Sequence, residues 1–87
     1  MKIRYSKDFL KSFKIRILPN QALLKKFEKR LILFQKNPGS PLLRNHKLAG
    51  SKSDYRSFSI TGGIRVIYVV NENTVYFLDI GTHNQVY

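Results

Sequence analysis

Between Phe9 and Phe34 the hydrophobic residues recur at helical spacing in two successive segments. Ser6 is well placed to cap the first segment and Asn20 the second, and Asn37-Pro38-Gly39 ends the second. Two amphipathic helices are therefore predicted, each with one apolar face directed at a core. The residues of these faces are Phe9, Phe13 and Ile17, with Leu10 beside them, in the first helix, and Leu24, Phe27, Leu31 and Phe34 in the second.

The rest of the chain is patterned for strands. Residues 2–5 alternate between charged and apolar, which predicts a short strand with Ile3 and Tyr5 inward. Residues 55–61, 64–70 and 74–80 are rich in Val, Ile, Tyr, Phe and Thr, and turn residues separate them, whereas residues 37–54 read as a long loop. We therefore predict a single α+β domain over residues 1–87, in the order β-α-α-β-β-β. Two N-terminal helices would pack on a mainly antiparallel four-stranded sheet.

The turn between the second and third predicted strands sets which side chains share a face. A two-residue turn at Gly62-Gly63 places Arg56 and Arg65 on the same side of the sheet, where they would line a cleft that attracts phosphate groups. A bulge at the double glycine would shift this pairing by one residue. Alternatively, the two arginines lie at a sheet edge and pair with Asp54 or Asp79.

Positive charge dominates the chain and is unevenly distributed. The 87 residues include 16 Lys and Arg against five Asp and Glu, giving a net charge of +11, and every Lys and Arg lies at or before Arg65. Such a density of positive charge favours a polyanionic partner, either nucleic acid or a strongly acidic protein. The plainer alternative is that the lysines solvate helix surfaces. Membrane-surface binding is disfavoured, since no helix combines a wide apolar face with interfacial Trp.

Several classes of protein are excluded by what the sequence lacks. There is no Cys, hence no disulfide framework, thiolate nucleophile or Cys-based zinc site. No apolar run approaches the ~20 residues of a membrane span, and the start of the chain has no continuous apolar stretch of the kind found in signal peptides. We therefore expect a cytoplasmic protein that does not engage the membrane.

Four segments carry a resemblance to a known family. They are Asn45-His46-Lys47-Leu48-Ala49-Gly50, Tyr55-Arg56-Ser57-Phe58, Gly63-Ile64-Arg65-Val66-Ile67-Tyr68 and Ile80-Gly81-Thr82-His83-Asn84-Gln85-Val86-Tyr87. As a set they resemble the RelE/ParE superfamily of bacterial toxins, and the closing Gly-Thr-His-x-x-Val-Tyr is similar to the YafQ-like branch. This resemblance implies the toxin of a type II toxin–antitoxin system, an endoribonuclease that cleaves mRNA in the ribosomal A site. It also implies a cognate acidic antitoxin as partner.

The residues of these segments suit RNA cleavage on chemical grounds as well. The attacking 2′-hydroxyl must lose a proton, the phosphate must be stabilised, and the leaving 5′-oxygen must gain a proton, for which no metal or cofactor is required. His46 and His83 are the two histidines of the chain, and Tyr87 could orient the phosphate or stack on a base. Arg56 and Arg65 offer forked donors for phosphate oxygens. Either histidine could instead be an ordinary loop residue.

Carried over residue by residue, the resemblance is partial. His46, His83 and Tyr87 match the YafQ-like pattern, and Arg56 and Arg65 stand where RelE-like members keep basic catalytic residues. The branch also uses acidic or imidazole groups on the first hairpin, where this chain has serines and glycine, so the general base is not identified. We predict His83 as the general acid, with Gly81 allowing a sharp turn before it. The residues predicted to bind RNA are Arg44, Lys47 and Lys52.

Two alternatives remain at this point. A ParE-like inhibitor of DNA gyrase would share the fold, although such proteins lack a comparable Gly-Thr-His-x-x-Val-Tyr ending. A catalytically inactive RNA-binding relative would share the basic surface.

Overall fold

The computed structural model describes residues 1–50 and 54–87, and it confirms both predicted helices with their caps. Ser6 Oγ accepts the Phe9 N–H at 3.0 Å, and Asn20 Oδ1 accepts the N–H of Ala22 at 3.0 Å. The elements are β1 (Lys2–Tyr5), α1 (Lys7–Arg16), α2 (Gln21–Lys36), a 3-10 turn (Pro41–Leu43), β2 (His46–Lys47), β3 (Arg56–Ser59), β4 (Ile64–Asn71), β5 (Thr74–Thr82) and α3 (His83–Val86).

The sheet has five strands in the described residues rather than the predicted four. Its order is β1-β5-β4-β3-β2, with β1 parallel to β5 and the other pairs antiparallel. The additional strand is β2, which pairs His46 with Ser57 and Lys47 with Arg56 inside the segment predicted as a long loop. Two residues are too short for an alternating pattern, so the sequence carries no signal for β2. The α+β class and the mainly antiparallel sheet are confirmed.

The pairing of β3 with β4 differs by one residue from the predicted register. Arg56 pairs with Tyr68 and Ser59 with Arg65, because the connection contains three residues, 61–63, instead of two. The hydroxyl of Thr61 explains the longer loop, since it accepts hydrogen bonds from the backbone N–H groups of Gly63 and Ile64 at 3.1 and 3.0 Å. Successive residues of a strand point to opposite faces, so the shift reverses which residues of β4 share a face with which residues of β3.

One face of the sheet packs against α1 and α2 and forms the core. Phe34 of α2 stacks on Phe58 of β3 with ring centroids 4.5 Å apart, and Phe77 lies beside both. The predicted apolar faces of the helices are confirmed at Phe9, Ile17, Phe27 and Phe34, which are all buried, whereas Leu10 is exposed. Tyr5 is partly exposed, although its ring stacks on that of Phe9.

The other face of the sheet carries the C-terminal helix α3. The predicted sharp turn at Gly81 is wrong, since this residue continues β5 in extended pairing with Arg65. A side chain at position 81 would instead approach Gln85 Oε1 to 2.6 Å and Arg16 Nη1 to 2.7 Å, so the glycine makes room for neighbours. None of the helices within residues 1–50 and 54–87 has the length and apolar character needed to cross a bilayer.

Candidate functional site

The centre of the candidate site is the hydroxyl of Ser57, which is fully buried in β3. Its oxygen accepts a hydrogen bond from Arg65 Nε at 2.7 Å and another from the Tyr87 hydroxyl at 2.7 Å. Ser57 therefore fixes the positions of Arg65 from β4 and of Tyr87, the residue after α3. Both side chains lie on the face of the sheet opposite the helical core. Bonds to such a buried acceptor limit the rotamers of both long side chains.

The carbonyl of Arg44 fixes the imidazole of His46 at the edge of this face. Arg44 adopts a left-handed conformation with φ of 47°, and its carbonyl oxygen lies 2.8 Å from His46 Nδ1. A carbonyl can only accept, so Nδ1 carries the proton, and Nε2 is the ring nitrogen with a free lone pair when the imidazole is neutral. Arg65 Nη2 donates to the same carbonyl at 3.3 Å and lies 3.4 Å from Nδ1.

His83 reaches the same region through the short helix α3. The backbone N–H of Tyr87 donates to the His83 carbonyl at 3.0 Å, and the two rings meet edge to face with centroids 4.2 Å apart. His46, His83 and Tyr87 line a common open groove of about 560 Å³, with Lys47 at its side. The structure thus brings together both histidines, Arg65 and Tyr87, as the proposed chemistry requires.

Arg56 is the predicted site residue that the structure does not bring to this groove. The prediction that Arg56 and Arg65 share a face is wrong, because the β3–β4 register shift places them on opposite faces of the sheet. Arg56 Nε instead donates to Asn45 Oδ1 at 3.1 Å and to the Tyr68 hydroxyl at 3.2 Å, on the side of the helical core.

The register shift also explains why sequence reasoning missed Ser57. In the predicted register Ser57 faces away from Arg65, so the pattern gave it no functional neighbour. The feature of the sequence that could have indicated a role for Ser57 is the three-residue loop, which the hydroxyl of Thr61 stabilises. Once that loop is recognised, Ser57 and Arg65 fall on the same face.

The cations around the groove are largely unpaired. Arg44 and Lys47 are exposed beside His46, while Lys52 lies outside the described residues. In the described part of the chain the single ion pair joins Arg16 and Asp79 at 3.6 Å, so the expected alternative pairing of Arg56 or Arg65 with a carboxylate is not found there. No three His, Asp or Glu side chains in residues 1–50 and 54–87 gather as a metal site would require.

A matching family model, together with the shared fold, assigns the chain to the RelE/ParE superfamily of toxins. A family model described as the bacterial toxin of a type II toxin–antitoxin system, YafQ, matches residues 1–87. The chain therefore belongs to the YafQ family of toxins from type II toxin–antitoxin systems. A search of curated proteins finds no match.

Solved structures share the fold over the whole chain. YafQ from E. coli, in its complex with DinJ, is 23% identical and superposes with a TM-score of 0.81, covering 99% of this chain and 97% of that one. A copper-bound mutant toxin from Helicobacter pylori is 26% identical, with a TM-score of 0.78 and coverage of 100% and 99%. The YoeB/ParE toxin from Agrobacterium tumefaciens is 18% identical, with a TM-score of 0.79 and coverage of 95% and 99%.

Proposed function

We propose that this toxin is a ribosome-dependent mRNA endonuclease that acts in the cytoplasm and cleaves by attack of the RNA 2′-hydroxyl, without a metal ion. The observation that supports this most directly is the common groove of His46, His83 and Tyr87, with Arg65 tied to Tyr87 through Ser57. Two imidazoles and a guanidinium can supply the proton transfers and the charge stabilisation that the reaction needs.

His46 is the proposed general base. Its Nδ1–H is held by the Arg44 carbonyl, which leaves the neutral ring with a lone pair on Nε2 to accept the 2′-hydroxyl proton. The backbone carbonyl thus fixes the tautomer of the neutral ring and the orientation of its Nε2 lone pair. The hairpin positions where relatives place acidic or imidazole groups are Ser57, Ser59 and Gly63 here, so the proposed base is taken from His46 on β2 instead.

His83 is the proposed general acid, which donates a proton to the 5′-oxygen as the bond to phosphorus breaks. The Tyr87 ring packs against its imidazole, and the Tyr87 hydroxyl is fixed by Ser57. Arg65 is the proposed electrostatic partner of the phosphate, because its Nε–H is bound by Ser57 and its Nη2 lies next to His46. Arg44, Lys47 and Lys52 are proposed to bind flanking phosphates of the RNA.

An acidic antitoxin is the proposed protein partner, and it would neutralise the toxin by covering this basic surface. E. coli YafQ is found in a complex with DinJ, and the net charge of +11 on the present chain suits an acidic partner. Electrostatic steering would make the association fast and sensitive to salt. We expect a neighbouring open reading frame to encode such an acidic protein, and co-expression with it should yield a complex that elutes as one species at low salt. Separate elution would contradict this proposal.

The experiment that tests the proposed activity is induction of the toxin in cells, followed by mapping of new 5′ ends on messages. Cleavage of ribosome-bound mRNA predicts breaks at defined codon positions, with a 2′,3′-cyclic phosphate on the upstream fragment because the 2′-oxygen is the nucleophile. A catalytically inactive relative predicts no new ends. Gyrase inhibition predicts DNA breaks with intact messages, and either of these two results would overturn the proposal.

A further inference from the structure

A second concave surface lies on the opposite face of the sheet from the His46 groove. It is a cavity of about 540 Å³ next to the C-terminal end of α2. Its walls are mainly apolar, and two arginines, Arg44 and Arg56, also line it. The apolar residues that line it include Phe34, Pro38, Tyr68, Val70 and Val75.

Arg56 has hydrogen-bonding capacity that residues 1–50 and 54–87 leave unused at this cavity. Its Nε–H is taken by Asn45 and Tyr68, and the Tyr68 hydroxyl in turn donates to Asn45 Oδ1 at 2.7 Å. For the two terminal nitrogens, no acceptor and no carboxylate occurs within residues 1–50 and 54–87. A half-buried guanidinium that lines a mainly apolar cavity is well suited to a carboxylate that binds through both oxygens.

We infer that this cavity binds an acidic side chain of the antitoxin, with a neighbouring apolar side chain of the same segment packed against Val70. The inference rests on the proposed antitoxin partner. Charge complementarity supports it, because Arg56 is a cation without a counter-charge in the described chain and the expected partner is acidic. Val70 is 52% exposed at the rim, so an apolar contact there removes surface from water.

The composition of the walls favours a protein segment over RNA as the occupant. RNA phosphates are bound by several cations along a backbone, whereas this cavity sets the half-buried Arg56 and the exposed Arg44 among mainly apolar side chains. A side-chain carboxylate next to an apolar residue matches both parts of the surface. Arg56 also holds the segment that precedes β2 through Asn45, but that role uses only its Nε–H.

The test compares Arg56→Gln with Arg4→Gln, which removes the same charge from an exposed position on β1. Each toxin variant is immobilised, and the association and dissociation rates of the proposed acidic antitoxin, the product expected from a neighbouring open reading frame, are measured by surface plasmon resonance. Loss of one partner of a desolvated charge pair acts on dissociation, so Arg56→Gln should raise the dissociation rate about thirtyfold or more. Arg4→Gln should lower the association rate by about threefold or less and leave dissociation unchanged, as expected for a rim charge.

Val70→Thr is the second variant, since it keeps the side-chain shape, lies outside the hydrogen-bonded network and is exposed in the free toxin. A hydroxyl placed in an apolar contact should raise the dissociation rate by about fivefold. The inference is overturned if Arg56→Gln affects dissociation no more than Arg4→Gln does, or if Val70→Thr leaves dissociation unchanged. It is also overturned if Arg56→Gln weakens RNA binding alone.

The parent protein separates failure of this inference from failure of the proposed partner. If the parent toxin forms no complex, the antitoxin proposal itself is wrong and the cavity inference falls with it. If the parent forms the complex and the variants bind equally well, the antitoxin proposal stands and only the cavity inference is refuted.

Discussion

Replacing Ser57 by alanine should weaken both the fold and the site, because one hydroxyl oxygen serves two donors. The change leaves the Arg65 Nε–H and the Tyr87 O–H without the acceptor that each now holds at 2.7 Å. Ser57 is fully buried, so water does not take its place directly. A donor left unsatisfied costs about 1–3 kcal/mol, and partial exposure of Tyr87 lets its hydroxyl turn to solvent.

We therefore expect a loss of about 1–2 kcal/mol in the free energy of unfolding. For a domain of this size that corresponds to a fall of roughly 5–10 °C in Tm, measured by circular dichroism or calorimetry. At temperatures where the variant is folded, the cleavage rate should be at least about tenfold lower than that of the parent. Arg65 and Tyr87 lose their common anchor, and small displacements of catalytic groups lower the rate.

Ser59→Ala is the matched control for this experiment. Ser59 lies two residues further along the same strand and on the same face, is likewise buried, and its Oγ has no hydrogen-bond partner in the described residues. Removing a buried unpartnered hydroxyl should leave Tm unchanged or raise it slightly. If the two alanine variants melt at the same temperature and cleave equally well, the assignment of Ser57 as the common anchor is refuted.

Three further substitutions separate the parts of the account. Tyr87→Phe keeps the ring that packs on His83 but loses the hydroxyl that donates to Ser57. Stability should fall by about 1 kcal/mol, which lowers Tm by a few degrees, and single-turnover cleavage should fall by less than about tenfold. A loss of cleavage as large as that of Tyr87→Ala would contradict the separate roles assigned to the ring and the hydroxyl. Arg65→Lys keeps the positive charge but loses the Nε–H that donates to Ser57 and the forked guanidinium. Cleavage should fall about a hundredfold, while filter binding should show RNA affinity reduced only severalfold. Near-parental cleavage would show that the charge alone suffices. Asn20→Ala removes the N-cap of α2, far from the groove. The free energy of unfolding should fall by about 1 kcal/mol, which lowers Tm by about 4–8 °C, and cleavage at low temperature should be unchanged. An unchanged Tm would refute the assigned cap.

The sequence sufficed for the elements whose pattern is long and strongly periodic. Both helices and their caps at Ser6 and Asn20 follow from side-chain spacing and local hydrogen bonding, which do not depend on the rest of the fold. The two-residue strand β2 could not be predicted, because its backbone pairs with β3 only once the chain has folded. His46 was therefore expected in a loop and lies on a sheet edge.

The sequence predicted which residue types would lie together at the candidate site, but not the hydrogen bonds between them. His46, His83, Arg65 and Tyr87 were expected together and line or border one region of the surface. The partnership of Ser57 with Arg65 depends on a one-residue register, and a single hydroxyl in the turn decides that register. Strand pairing is sensitive to such small local interactions because each one-residue slip exchanges the two faces.

The most direct test of the account is single-turnover cleavage of mRNA on programmed ribosomes by the parent toxin and by His83→Ala. Loss of a proton-transfer group typically lowers the rate by about 10²–10⁴-fold, and RNA binding should persist because Arg65 and the surrounding cations remain. The account predicts a fall in that range with an unchanged Tm. A folded His83→Ala toxin that cleaves within about threefold of the parent rate would show that His83 is not the general acid.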